Sequence, residues 1–194
     1  MKIILLTALA FMIGSIPTGL LIAKSRGIDI KKSGSGNIGA TNVLRTTGRL
    51  PALLTLLGDI LKGALAVLIA RYFEVGMFYE GLIGICSILG HNFSLFLKFK
   101  GGKGVATSIG VLCIYSPKTA LITIIIWLMI VLITRYSSLG ALISFGALPV
   151  SIILLDTKDK LPIAFLITLI LFIRHIDNVS RMLKGTESKI GGKT

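Results

Sequence analysis

Long apolar blocks separated by short polar segments divide the chain along its whole length. The blocks are unbroken runs and lack the striped pattern of water-soluble helices. A run of about 20 apolar residues is long enough for a helix to cross a bilayer. The pattern therefore predicts an all-α integral membrane protein, a seven-transmembrane-helix bundle that forms a single domain over residues 1–194. The predicted spans lie near residues 2–23, 51–70, 81–97, 104–116, 119–134, 138–155 and 161–174.

The fourth predicted span is unusually short. Residues 104–116 give a helix of about 20 Å at ~1.5 Å per residue, which is less than the thickness of the hydrocarbon core. Irregular backbone at membrane depth is tolerated only where it is buried in protein or lines a water-filled cavity. We therefore expect the start of this helix to border a polar cavity.

The composition supports a membrane protein and narrows its partners. Hydrophobic residues make up 54% of the chain and charged residues 15%, with a mean hydropathy of +0.90. The net charge of +13 is compatible with nucleic acid, anionic lipid or a phosphorylated substrate. Nucleic acid is not expected, because the basic residues lie in short loops and no soluble domain is predicted that could present them.

Basic residues are distributed unevenly between alternate loops. Fifteen Lys and Arg residues fall on one side of the predicted spans and five on the other. An excess of Lys and Arg in short loops marks the cytoplasmic side. The amino terminus is therefore expected outside and the carboxyl terminus in the cytoplasm, together with segments 34–45, 90–107 and 174–190.

The first cytoplasmic segment, residues 34–45, has the sequence GSGNIGATNVLR. Its glycines allow backbone N–H groups to turn towards one point, and a helix that begins near Ala40 would direct its positive end there. Asn42 and Arg45 are three residues apart and would share a helical face. The segment is therefore predicted to bind phosphate, with a flexible hinge and a surface arginine as the alternative.

The second segment, residues 90–107, contains GHNF and then GGKGVAT. It is not a P-loop, because it lacks both the first glycine of that motif and the Ser or Thr after the lysine. Lys103 nevertheless lies at the predicted start of the fourth span, where the helix dipole, free N–H groups and the ammonium would all attract an anion. His91 either contacts substrate or only forms a hydrogen bond at a helix end. Lys98 and Lys100 are expected at the membrane interface.

The third segment, residues 174–190, runs from RHIDN to GTESK. His175 and Asn178 are three residues apart and would face the same way where the last span leaves the membrane. Glu187 is a further candidate for substrate binding. A solvated tail is expected for three basic residues, which are Arg181, Lys184 and Lys193.

Asp59 and Lys62 lie on one face inside the second predicted span. Ionisable residues are costly at that depth and usually pair with one another in the bundle interior. We expect a structural pair that borders the cavity, and substrate ligands only as the second interpretation.

Several common catalytic motifs are absent from the sequence. It has no HExxH, no Cys/His metal cluster and no GxSxG nucleophile elbow. No nucleophile and base are evidently partnered, so a reaction here would be a direct transfer that depends on positioning and electrostatics.

The three segments resemble the motifs of the bacterial acyl-phosphate:glycerol-3-phosphate acyltransferase family, whose members are small membrane enzymes with seven spans. The motifs occur in the family's order, and the likeness covers nearly the whole chain. One departure is Ser94, where the family commonly has proline after Gly-His-Asn-Phe. The resemblance implies transfer of a fatty acyl group from acyl phosphate to glycerol 3-phosphate, giving lysophosphatidic acid and phosphate in the first acylation step of phospholipid biosynthesis.

With this resemblance, roles can be assigned to residues. Basic residues would neutralise phosphate charge, the polar residues of the first segment would position phosphate oxygens and the acyl carbonyl, and those of the third would orient glycerol 3-phosphate. The candidate catalytic residues are Ser35, Asn37, Arg45, Lys103 and His175. The candidate substrate-binding residues are Gly36, Thr41, Asn42, His91, Gly101, Gly102, Gly104, Thr107, Asn178 and Glu187.

Nothing in the sequence requires a metal, a nucleotide or another cofactor. The expected partners are acyl phosphate, glycerol 3-phosphate and membrane lipid, with no nucleic acid, and a monomer is expected. The expected location is the bacterial cytoplasmic (inner) membrane, multi-pass, with the site facing the cytoplasm or the cytoplasmic leaflet. One alternative is a small membrane transporter of an organic phosphate, whose motifs should gather near the bilayer midplane. Another is a non-catalytic scaffold that binds anionic lipid.

Overall fold

The computed structural model describes residues 1–191, which form eleven α-helices and two short 3-10 turns and contain no β-strand. Lys193, expected in a solvated tail, lies outside the described residues. The helices are α1 (Lys2–Ser15), α2 (Thr18–Ser25), α3 (Ala40–Thr47), α4 (Arg49–Tyr72), α5 (Met77–Asn92), α6 (Val105–Tyr115), α7 (Pro117–Thr134), α8 (Ser137–Gly146), α9 (Leu148–Leu155), α10 (Leu161–Arg174) and α11 (Ile176–Leu183).

Four segments within residues 1–191 are long and apolar enough to cross a membrane, namely Lys2–Ser25, Arg49–Tyr72, Met77–Leu97 and Pro117–Thr134. Two bent helix pairs, α8 with α9 and α10 with α11, raise the number to six if each pair is one span. Helix α6 is apolar but has only 11 residues, which cover about 16 Å at ~1.5 Å per residue. The prediction of an all-α chain is thus confirmed for the described residues, whose apolar helices are long enough for a membrane protein. The count of seven spans stays a prediction, with α6 as the seventh member.

Two predicted spans are interrupted. The first, 2–23, is broken between α1 and α2 at Ile16 and Pro17, because proline cannot donate the helical backbone hydrogen bond. The sixth, 138–155, bends by 41° between α8 and α9, where Pro149 is the second residue of α9. Both breaks expose backbone groups that need partners elsewhere.

Side chains from α4 and the end of α5 satisfy the carbonyl groups freed by the first break. The Ser94 hydroxyl donates to the Ser15 carbonyl oxygen, and Lys62 Nζ donates to the Ile16 carbonyl at 3.0 Å. An unpaired carbonyl in hydrocarbon would cost several kcal/mol. Ser94 therefore supplies a hydrogen bond that the proline common in the family at this position cannot make.

Glycines allow the central helices to pack backbone against backbone. A Cβ atom at Gly110 of α6 would lie 1.9 Å from the Ile60 carbonyl oxygen of α4, and one at Gly90 of α5 would lie 2.2 Å from the Phe11 carbonyl oxygen of α1. Small residues serve this purpose in membrane helices, where close packing replaces the hydrophobic effect. This packing holds α4 and α6 side by side and places the amino end of α6 next to α3 and α11.

Candidate active site

A cavity of about 520 Å³ opens at the end of the bundle where α3, the amino end of α6 and α11 meet. Its polar end is lined by residues of all three segments singled out in the sequence. Its other end is apolar, with Ile60, Ile109 and Ile124 among the lining residues. Leu53 and Leu128 also line this end and are 50% and 45% exposed, so the apolar end is open to the protein surface.

The first segment forms a tight loop that leads into α3. Gly34 and Gly36 have φ angles of +58° and +70°, a left-handed conformation that glycine adopts without strain. Ser35 and Asn37 line the cavity, whereas Gly36 does not, and its N–H donates to the Ser33 carbonyl at 3.1 Å. Gly36 was predicted to bind substrate, but the structure shows it outside the cavity lining, where its left-handed conformation shapes the loop.

The side chain of Asn42 closes this loop. Its Oδ1 accepts a hydrogen bond from the Ser35 N–H at 2.9 Å, and its Nδ2 donates to the carbonyls of Ser33 at 3.0 Å and Asn37 at 2.8 Å. Asn42 was expected to hold a phosphate oxygen. Its amide is instead occupied by backbone groups, as a buried amide requires, so it orients Ser35 and Asn37.

Two arginines face the cavity from α3 and α4. Arg45 Nη2 donates to the Ser188 carbonyl at 2.8 Å, and its Nε is buried with no partner. Arg49, at the start of α4, also lines the cavity but was not predicted as a site residue, because at the edge of a span it resembles an ordinary topology-setting residue. Within residues 1–191 neither guanidinium forms a salt bridge.

The loop that carries Lys103 is held by the end of α5. The N–H groups of Gly101 and Gly102 donate to the carbonyls of Asn92 at 3.1 Å and His91 at 3.0 Å. Gly101 and Gly102 were predicted as substrate-binding residues, but neither lines the cavity, and carbonyls at the end of α5 occupy their N–H groups. Lys103 itself lines the cavity.

Helix α6 begins beside Lys103 and directs its amino end at the cavity. Gly104 is its N-cap, with φ +83°, and no side chain caps the helix. Gly104, Val105 and Ala106 line the cavity, so the uncapped N–H groups of the first turn are available to an anion. Thr107 differs from its prediction: it is fully buried and does not line the cavity, and its backbone carbonyl packs against Gly63 of α4.

Lys103 Nζ donates a hydrogen bond to Asn178 Oδ1 of α11. Burial and the positive charge of Arg181 lower the pKa of the Lys103 ammonium to about 8. Glu187 and Asp177 oppose this shift, while Arg174 adds to it. The ammonium is thus held by a neutral amide and keeps its charge for a ligand.

Glu187 is the centre of a second polar network. Its carboxylate accepts hydrogen bonds from Ser138 at 2.7 Å, Asn178 at 2.6 Å and Arg181 at 2.7 Å. Burial alone would raise the pKa of Glu187, but these three donors outweigh it and lower the pKa. The solvated tail expected for Arg181 is therefore wrong at that residue, because its guanidinium turns inward to the buried carboxylate.

His175 lies between α10 and α11 and is 3% exposed. Its Nδ1 is 2.8 Å from the Leu171 carbonyl oxygen, which can only accept, so Nδ1 carries the proton. The tautomer leaves Nε2 as a hydrogen-bond acceptor, and the residue lines the cavity.

Asp59 and Lys62 form the expected buried ion pair, with 2.8 Å between Oδ1 and Nζ. His91 completes the group: its Nδ1 lies 2.8 Å from Lys62 Nζ, which donates to it. Asp59 and His91 line the cavity wall. Most of the polar atoms of the trio are turned towards one another, which favours the structural interpretation of Asp59 and Lys62.

Positive charge is in excess around the cavity. Among the lining residues the two carboxylates are paired, Asp59 with Lys62 and Glu187 with Arg181. Within the described part of the chain, no salt bridge involves the remaining lining cations, Arg45, Arg49 and Lys103. Three cations beside two helix amino ends, those of α3 and α6, can bind phosphate groups.

The structure thus brings together most of the predicted residues and adds some that the sequence concealed. Ser35, Asn37, Thr41, Arg45, Lys103, Gly104, His175, Asn178 and Glu187 line one cavity. Ser137 and Ser138 also line it, although the sequence around them has no glycine-rich motif like those of the three predicted segments.

The sequence profile of the family described as glycerol-3-phosphate acyltransferase matches residues 4–185. A protein of Geobacter sulfurreducens with the same description is 44% identical over 187 residues, which cover 96% of this chain and 96% of that protein.

Two crystal structures of PlsY (YgiH), an integral membrane glycerol 3-phosphate acyltransferase, have a similar fold. The glycerol 3-phosphate form superposes with a TM-score of 0.91 and 36% identity, covering 97% of this chain and 96% of that chain. The lysophosphatidic acid form has a TM-score of 0.89 at 36% identity, covering 97% and 95%. Similarity in sequence and in fold therefore extends over nearly the whole chain.

Proposed function

The chain belongs to the glycerol-3-phosphate acyltransferase family, and we propose that it transfers a fatty acyl group from acyl phosphate to glycerol 3-phosphate. The products are lysophosphatidic acid and phosphate, and the reaction is the first acylation of phospholipid biosynthesis. This function is favoured over transport of an organic phosphate, since the matched family and the similar solved structures are named as enzymes.

One observation carries the proposal: a single cavity joins an anion-binding end to an open apolar end. Both proposed substrates carry a phosphate group, and the three unpaired cations and two helix amino ends suit two such groups. The acyl chain would lie along Leu53, Ile60 and Leu128 and could enter from the bilayer. A purely soluble substrate would have no use for this apolar end.

The proposed chemistry is a direct transfer. The glycerol hydroxyl oxygen bonds to the carbonyl carbon of the acyl phosphate, the bond from that carbon to the phosphate oxygen breaks, and its electron pair stays on the phosphate. The hydroxyl proton passes to a phosphate oxygen of the leaving group. Acyl phosphate is an activated mixed anhydride, so positioned cations that stabilise the developing charge are sufficient.

We assign Arg45, Lys103 and the amino end of α6 to the phosphate groups, and Ser35 and Asn37 to phosphate oxygens or the acyl carbonyl. His175 Nε2 accepts a hydrogen bond from glycerol 3-phosphate. Glu187 and Asn178 orient the same substrate from α11 and the segment after it. The enzyme is proposed to act as a monomer with seven spans in the cytoplasmic membrane, its cavity facing the cytoplasm.

The experiment that tests the function uses purified protein in lipid bilayers without metal or coenzyme A. Acyl phosphate and glycerol 3-phosphate together should yield lysophosphatidic acid and one equivalent of phosphate. If lysophosphatidic acid forms only from an acyl thioester, the proposed donor is wrong and the acceptor is retained. If bilayer vesicles instead accumulate glycerol 3-phosphate without acylating it, the protein is a transporter.

The orientation of the chain predicts the result of cysteine labelling. In a variant without Cys86 and Cys113, single cysteines at positions 33 and 188 should react with a membrane-impermeant maleimide only from the cytoplasmic side. A cysteine at position 158 should react only from outside. The predicted topology places six spans between positions 33 and 188. If the two positions react from opposite sides of the membrane, the number of spans between them is odd and the predicted topology is wrong.

The lowered pKa of Lys103 predicts an alkaline limit to activity. The ammonium must be protonated to bind phosphate, so kcat/KM should fall as the pH rises through about 8. Lys103→Arg should remove this limb, because the guanidinium stays charged over the whole pH range of the assay, even if the variant turns over slowly. An unchanged alkaline limb in Lys103→Arg would assign the titration to another group.

His175 is expected to hold substrate without acting as a general base. His175→Asn keeps a hydrogen-bond acceptor and should lose only about fivefold to tenfold in kcat, the worth of a neutral hydrogen bond. Its pH profile should match that of the wild type. A general base would instead contribute ~10²-fold to 10⁴-fold, and an equally large loss in His175→Asn and His175→Ala would assign that role to the imidazole.

A further inference from the structure

Gly102, the residue just before Lys103, is held at its carbonyl oxygen, at its N–H and at its α-carbon. The Gly102 carbonyl oxygen accepts two hydrogen bonds from one guanidinium, from Arg174 Nε at 3.2 Å and Nη2 at 2.8 Å. The Gly102 N–H donates to the His91 carbonyl at 3.0 Å. A Cβ atom at Gly102 would lie 2.1 Å from His91 Nε2, so the imidazole lies against the α-carbon.

Arg174 makes these contacts from outside the cavity. It is the last residue of α10 and is not among the cavity-lining residues. Its guanidinium carbon lies 5.2 Å from the centroid of the Phe93 ring, which supports the plane from one side. Within residues 1–191 it forms no salt bridge, so the hydrogen bonds recorded for this guanidinium are the two it donates to a neutral carbonyl.

The loop around Lys103 needs such an external anchor. Lys98, Phe99 and Gly104 all have positive φ angles, so the backbone between α5 and α6 is irregular and cannot form a helical hydrogen-bond ladder. Lysine adds a flexible four-carbon stem to this irregular backbone. The place of the ammonium therefore depends on where the preceding peptide group is fixed.

The same helix pair fixes both ends of Lys103. Arg174 holds the carbonyl that precedes Lys103, and Asn178, four residues later, accepts the hydrogen bond from Nζ. We propose that Arg174 is a positioning residue: by holding the Gly102 carbonyl it fixes the position of the Lys103 ammonium, and it does not contact substrate. This proposal rests on the proposed function. Hydrogen bonds therefore join the loop between α5 and α6, which carries Lys103, to α10 and α11.

A double-mutant cycle tests this assignment. Arg174→Gln is expected to lower kcat/KM about tenfold or more, because a displacement of ~1 Å costs on the order of a hundredfold. In a Lys103→Ala background the same change should cost less than about twofold, because residues that act through one another are not additive. Arg26→Gln is the matched control and should be neutral in both backgrounds, because Arg26 is exposed and forms no salt bridge within residues 1–191.

The pH profile supplies a second measurement. The positive charges of Arg174 and Arg181 both lower the Lys103 pKa, whereas the negative charges of Glu187 and Asp177 raise it. The alkaline limb should therefore move to higher pH in Arg174→Gln and stay in place in Arg174→Lys, which should also recover part of the activity. Equal losses from Arg174→Gln in the presence and absence of Lys103, or an unmoved limb, would overturn the proposal.

Binding of inorganic phosphate, measured by calorimetry on the protein in detergent, repeats the cycle without catalysis. Phosphate affinity should fall in Arg174→Gln and show the same non-additivity with Lys103→Ala.

If the wild type binds phosphate but does not turn over acyl phosphate, the proposed function fails, and the binding measurements on the four proteins of the cycle still decide the role of Arg174. Should Arg174→Gln not fold, Gly102→Ala displaces the same peptide group against His91 and should show the same cycle. Absence of phosphate binding to the wild type would overturn the placement of Lys103 as an anion ligand.

Discussion

Replacing Lys103 with alanine is expected to lower kcat about a hundredfold, or ~3 kcal/mol, while leaving the fold intact. The ammonium lies half-buried beside the uncapped amino end of α6, where it can stabilise developing phosphate charge. Within residues 1–191 the ammonium donates a hydrogen bond to Asn178 alone. Turnover at saturating concentrations of both substrates, with the midpoint of thermal unfolding as the check on folding, measures the effect.

Lys98→Ala is the matched control for this prediction. Lys98 is in the same loop, is exposed, and forms no salt bridge within the described residues 1–191. It should retain full activity. Comparable losses in Lys98→Ala and Lys103→Ala would mean that the general positive charge of the loop matters and that no individual ligand is placed there.

Replacing Lys62 with methionine is expected to destabilise the protein by ~3–5 kcal/mol, the cost of leaving one partner of a buried ion pair unpaired. Asp59 is 3% exposed, and its partner Lys62 also donates to His91 and to the Ile16 carbonyl at the break in the first span. Removing the ammonium therefore strands a carboxylate and a backbone carbonyl together. Unfolding by SDS in mixed micelles reports the change in free energy.

The double variant Asp59→Asn/Lys62→Met should recover most of this loss, because it removes the stranded charge along with its partner. The matched surface control is Lys100→Met, which should change the free energy of unfolding by less than ~0.5 kcal/mol. If Lys62→Met were no less stable than Lys100→Met, the pair would not contribute to the fold, and Asp59 and Lys62 would have to be considered as substrate ligands.

The sequence predicts those parts of the structure whose physical cause is local. Apolar runs of sufficient length define the helices around Arg49–Tyr72 and Pro117–Thr134 without reference to the rest of the chain. The number of spans is harder to predict. Helix α6 is shorter than a membrane-crossing helix, and each bent helix pair could be one span or two separate helices. The segments that line the cavity could be predicted as well, because they combine glycine with polar and charged residues in an otherwise apolar chain.

Contacts between distant segments account for what the sequence could not reveal. Ser138 reaches Glu187 across 49 residues, and Arg174 reaches Gly102 across 72. A serine or an arginine at a helix end carries no sign of such a partner. The sequence also does not distinguish a side chain that binds substrate from one that binds its own loop, and for this reason Asn42 was assigned to the substrate.

The hydrogen bond from Arg45 to the Ser188 carbonyl spans 143 residues and has a consequence for biosynthesis. During translation the glycine loop and Lys103 are in place long before Glu187 and Ser188 leave the ribosome. A nascent chain therefore carries half of the proposed phosphate site until the segment after α11 has reached the loop. We expect maturation of the proposed site to depend on completion of the last helices, so that a chain whose last helix fails to insert should be inactive even if every preceding helix is correctly placed.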